Sequence, residues 1–64
     1  MKREKVFKYF REHNCGVFRE GKKHSIVINY SNDKVTSVPR HADIKDKLVF
    51  SMCKDLDIPR IQSH

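Results

Sequence analysis

The stretch Arg19-Glu20-Gly21-Lys22-Lys23-His24-Ser25-Ile26-Val27-Ile28-Asn29-Tyr30 leaves this chain few ways to fold. Val17 to Glu20 is short and extended. Gly21 has the freedom at positive φ that suits a hairpin turn, and His24 to Tyr30 alternates with the two-residue period of a strand. Strands joined by so short a link pair antiparallel. Within the second strand, Ile26, Ile28 and Tyr30 share one face and Ser25, Val27 and Asn29 the other. A β-branched residue on each face is the mixture of a central strand. The isoleucine face is the expected core face. His24 shares it, so a histidine acting on a ligand there has to stand at the strand end, near the sheet edge or after a bulge. Ser31-Asn32-Asp33 is turn chemistry, and Lys34 to Val38 is a third strand closed by Pro39. The three strands form an antiparallel meander.

Helical spacing flanks this sheet on both sides. From Lys2 to His13, Val6, Phe7 and Phe10 form an apolar stripe with charged residues largely off it. Asn14 and Gly16 are the stop signals. From Asp43 to Leu56, Ile44, Leu48, Met52 and Leu56 recur every four residues, and Val49 and Cys53 widen the stripe. Asp43 is the expected N-cap, Asp57 can take the terminating turn conformation, and Pro59 prevents continuation. Arg60 to His64 is expected to fray. The fold class is therefore α+β, an α-β-β-β-α two-layer sandwich over residues 1–64, with both helices on one face of a three-stranded sheet.

A 64-residue domain buries only about 60% of its unfolded surface, so a ligand is expected to lie across a surface rather than inside a cavity. No apolar run exceeds three residues, and the basic N-terminus has no apolar segment behind it. The chain thus reads as neither membrane-spanning nor secreted. Two cysteines without a motif fit free thiols in a reduced cytosol. The net charge of +6 is uneven: residues 1–23 hold eight Lys/Arg against three Glu, and residues 24–64 hold six against five Asp. A one-sided positive field favours polyanions, nucleic acid foremost.

His24 is the sharpest chemical candidate, because an imidazole can take up or release a proton near neutral pH without a metal. RNA can be cut by its own 2′-OH. That reaction needs a base, an acid and positive charge for the phosphorane, and Arg19, Lys22 and Lys23 stand close to His24. On chemistry alone, a single strand histidine is more commonly a neutral structural residue. Arg40 is placed to clamp a phosphate, and His41 sits where a second proton-transfer group can reach. His41 can equally bond local backbone. Four His and two Cys show no C-x-x-C or H-x-x-x-H pairing, so no metal site and no cofactor is expected. Both cysteines lie on or beside apolar stripes, which argues against Cys–His catalysis, and no Gly-rich phosphate loop exists.

The combination Arg19-Glu20-Gly21-x-x-His24-Ser25-Ile26, then Asn29, then Val38-Pro39-Arg40-His41, the helix from Ile44 to Leu56 and Asp57-Ile58-Pro59 resembles the HicA toxin family. The likeness extends over nearly the whole chain. It departs where many members have Gly-Ser-His, since two lysines stand here between Gly21 and His24. The resemblance implies a fold similar to double-stranded RNA-binding domains. It also implies the activity of a metal-independent mRNA interferase from a bacterial type II toxin–antitoxin pair, acting in the cytoplasm. A HicB-like antitoxin would be the partner covering the active site, in a complex where the toxin can self-associate. By position, the family's catalytic histidine falls on His24. The RNA-binding roles of Arg19, Lys22, Lys23, Arg40 and His41 come from charge and position. Two other functions fit the same residues: a non-catalytic module binding structured RNA, and a protein whose basic face docks an acidic chain.

Overall fold

A computed structural model describes residues 1–62. The elements are α1 (Arg3–Glu12), β1 (Cys15–Glu20), β2 (His24–Asn29), β3 (Val35–Pro39) and α2 (Asp46–Leu56). The sheet order β1-β2-β3 is antiparallel throughout, as the turn spacing requires. Val6 and Phe10 of α1 are buried, and the helix stops where Asn14 takes φ 61°. Asp57 ends α2 in the same left-handed conformation, at φ 58°. Short polar side chains tolerate that region best after glycine.

The start of α2 differs from the expected Asp43. Arg3 N donates to Ala42 O at 2.9 Å and Ile44 N to Met1 O at 2.8 Å. Residues 42–44 are thus held extended against the segment that leads into α1. Lys2 Nζ lies 3.3 Å from Asp43 Oδ2, so Asp43 ties two segments together instead of capping a helix. The helix begins at Asp46 after Lys45, which makes no side-chain cap.

The faces of β2 are the reverse of the expectation. Ser25, Val27 and Asn29 are buried, Ile26 and Ile28 only partly so, and His24 is exposed. Both helices lie on the Val27 side: Val6 and Phe10 from α1 meet Val49, Met52, Cys53 and Leu56 from α2 over Val27, Val38 and Cys15. The shortest dimension of the fold is 17 Å, which accommodates one helix layer and one sheet but no second covering layer. Counting isoleucines chose the wrong face because two polar residues on the core side are satisfied there. Asn29 Nδ2 donates to Leu56 O at 2.8 Å, capping the C-terminus of α2, and its Oδ1 accepts from Ser31 N at 2.9 Å. A buried polar group that finds its partners carries little penalty.

The tail also departs from expectation. Ile61 is 5% exposed and belongs to the core, the Arg60 guanidinium stacks 3.9 Å from the Phe50 ring centroid, and the Tyr9 hydroxyl donates to Pro59 O. Residues 59–61 are docked by these contacts. Ser63 and His64 lie outside the described residues. Cys15 and Cys53 are free and buried, and burial pushes both thiols above their ordinary range. Among the described residues no helix is long and apolar enough to cross a membrane.

Candidate active site

His24 opens β2 and pairs with Pro39 at the last rung of the β2–β3 ladder. The reversed strand faces place it on the uncovered side of the sheet, which resolves how a strand histidine can meet a ligand. The turn before it is tight. Gly21 N donates to His24 O at 2.8 Å, and a Cβ on Gly21 would stand 3.1 Å from that same oxygen. Glycine is used here for close approach and not for handedness, since neither glycine has positive φ.

Arg19 faces Ile26 across β1 and β2, after an irregularity in register between Val17 and Arg19. Arg19, Lys22 and Lys23 are exposed, and none of the ion pairs among the described residues involves them. On the β3 side, His24, Ser37 and Pro39 form one wall of an open groove of about 510 Å³, and His41, Asp43 and Lys45 form part of the other. Lys23, Arg40 and His41 continue this groove towards the hairpin tip. His24 and His41 therefore share one concavity, at the mouth of which Lys23 stands.

Arg40 is engaged within the fold through one of its guanidinium nitrogens. Its Nη2 donates to Glu20 Oε1 at 2.9 Å and to Gly21 O, fastening the segment after β3 to the hairpin. Glu20 Oε1 also accepts from Ser25 Oγ, and Ser25 Oγ in turn accepts from Arg3 Nη2 at 2.9 Å. Arg3 Nε reaches Pro39 O at 3.4 Å, and its guanidinium lies 4.4 Å from the centre of the Phe7 ring. The Ser25 hydroxyl bond, aided by the charge of Arg40, holds the Glu20 carboxyl below its ordinary range. Arg3, Glu20 and Ser25 escaped sequence reasoning. The available signal was Glu20 and Ser25 at equal distance either side of the turn, which makes them a cross-strand pair.

Among the described residues the site thus offers one exposed imidazole beside three cations outside the ion pairs, a second imidazole across a groove, and a hydrogen-bonded polar network behind them. No side-chain hydrogen bond orients the His24 ring among the described residues, and no three His, Cys, Asp or Glu side chains converge there as a metal site would require. Comparison of the chain with family models, with curated proteins and with solved structures finds no match in any of the three.

Proposed function

We propose that this chain is a metal-independent RNA endonuclease of the HicA toxin type, acting on mRNA in a bacterial cytoplasm and held in check by a HicB-like antitoxin. The observation that carries the proposal is the exposure of His24 on the uncovered sheet face, at the foot of a hairpin bearing Lys22 and Lys23. The helix–meander–helix order and the Val38–His41 segment support it further.

In this mechanism His24 takes the proton from a ribose 2′-OH as that oxygen attacks the adjacent phosphorus. The P–O5′ bond breaks, and the leaving 5′-oxygen takes a proton from an acid. The products are a 2′,3′-cyclic phosphate and a 5′-hydroxyl, with no outside co-reactant. His41, across the groove, is the group placed to serve as the acid, and Lys22, Lys23 and Arg19 hold the phosphate oxygens. Incubation of purified protein with RNA tests the assignment. His24→Ala is expected to abolish cleavage with an unchanged circular dichroism spectrum, and excess chelator to leave wild-type cleavage intact. Cleavage that survives His24→Ala in a folded protein would remove His24 as the base.

A non-catalytic RNA-binding module is the second reading. It is favoured by the unoriented His24 ring and by the engagement of Arg40 with Glu20. Such a module would be indifferent to His24→Ala and would weaken on loss of Lys22 and Lys23.

A further inference from the structure

We infer that the uncovered sheet face is a stacking platform for single-stranded RNA, with Phe18 and Tyr30 as the two base-stacking side chains. The inference deepens the proposed nuclease by naming its substrate as unpaired RNA. It rests on that proposal only for the statement that the bound strand leads to His24.

The face can be read from the register. Gly16 pairs with Ile28, Arg19 with Ile26, Ser37 with Ile26, Val35 with Ile28 and Pro39 with His24. Residues directly opposite in a ladder share a face, and Ile26 and Ile28 lie opposite in sense to buried Val27. Phe18, two residues beyond Gly16, falls on the same side, and the register irregularity places Arg19 there as well. Phe18 and Tyr30 are the most exposed large apolar residues of the protein, at 63% and 58%.

Tyr30 lies against β1 on this face. A Cβ on Gly16 would meet Tyr30 Oη at 2.8 Å, so the ring is laid across the one β1 position without a side chain. A broad, backed, solvent-facing ring is the geometry that accepts a nucleobase, and each such contact tolerates any base because every base has a π-face.

Charge chooses the occupant. None of the residues on this face is Asp or Glu. Glu20 is turned away to Ser25 and Arg40, while Arg19 and His24 lie on the face and Lys22 and Lys23 stand at its end. An apolar, aromatic centre bordered by unpaired cations fits a flexible polyanion with exposed bases. A duplex hides its bases and offers such rings nothing to stack upon.

The test is binding of a short dye-labelled oligouridylate in the His24→Ala background, which keeps the ligand intact, followed by fluorescence anisotropy. Expected results are tighter binding than to a GC duplex RNA and a loss of roughly tenfold or more for Phe18→Ala and for Tyr30→Ala separately. The Phe18 and Tyr30 ring-proton resonances should also move on titration. Three outcomes overturn the platform: variants that bind like the parent, a preference for the duplex, or equal competition by polyglutamate. Sedimentation showing a dimer dispersed by Phe18→Ser would also overturn it, assigning the face to a second copy. Cleavage by wild type with binding indifferent to both rings leaves the nuclease and removes the platform. Ring-dependent binding without any cleavage leaves the platform and removes the nuclease.

Discussion

Glu20 is the residue on which the geometry around His24 turns. It accepts from Ser25 inside the sheet and from Arg40 outside it, and thereby joins β1, β2 and the segment carrying His41. Its carboxyl is held below the ordinary glutamate range of about 4.3, so the folded state favours the ionised form. The stabilisation it supplies is complete above that range and disappears as pH falls through the lowered folded value. Glu20→Gln should therefore reduce the melting temperature at pH 7, with the gap to wild type closing on acidification below about pH 4. Because the pair is exposed, added salt should narrow the gap as well. A gap of constant size across pH would show that the carboxylate is not held in this way. The thiols behave oppositely. Burial keeps Cys15 and Cys53 protonated at neutral pH, so both should resist alkylation until denaturant opens the fold.

At the scale of elements, the hairpin and the caps decide the outcome. Gly21→Ala inserts a methyl 3.1 Å from the His24 carbonyl, and because backbone cannot swing aside as a side chain does, the turn has to open by a few tenths of an ångström. Cleavage should fall by roughly tenfold, in line with the sensitivity of catalysis to sub-ångström placement, while the melting temperature changes little. Asn29→Ala has the reverse signature. It strips the Leu56 carbonyl of its best donor and Ser31 N of its acceptor. The expected cost is about 1–3 kcal/mol, with hydrogen exchange accelerated first at the end of α2. These two positions also mark how far the sequence could be read. Turn residues and apolar spacing disclosed all five elements and the ends at Asn14 and Asp57, since those signals are local. The faces of β2 were not legible, because partners that make Ser25 and Asn29 acceptable in the core include Arg3 and Leu56, both distant in sequence. The engagement of Arg40 and the docking of Ile61 depend on tertiary contacts of the same kind. His24 could be singled out by chemistry, but only the fold places it on the open side.

For the molecule as a whole, small size and uneven charge set the terms. A domain of this length has a net stability of roughly 3–10 kcal/mol, and truncating fully buried Phe10 to alanine costs about 3–5 kcal/mol. Phe10→Ala should thus leave much of the protein unfolded at 37 °C, seen as lost cooperativity in a melt. Charge acts on binding instead. Of the eight Lys/Arg in residues 1–23, Lys2 is paired with Asp43, and Arg3 is bound to Ser25 and Pro39. Arg19, Lys22 and Lys23 are the cations gathered at the end of the uncovered face. If those three contact phosphates of a single strand, log K should fall with log salt at a slope near −2, about −0.7 for each phosphate neutralised. Replacing Lys22 and Lys23 together by glutamine should flatten the slope to about −0.7. The preference for single strands over duplex should persist, because the aromatic rings and not the lysines supply it. A duplex lying instead along α1 would engage Lys5, Lys8 and Arg11. Its slope would then be steeper and nearly unchanged by the lysine pair, and measuring K across a salt series for both proteins separates the two arrangements.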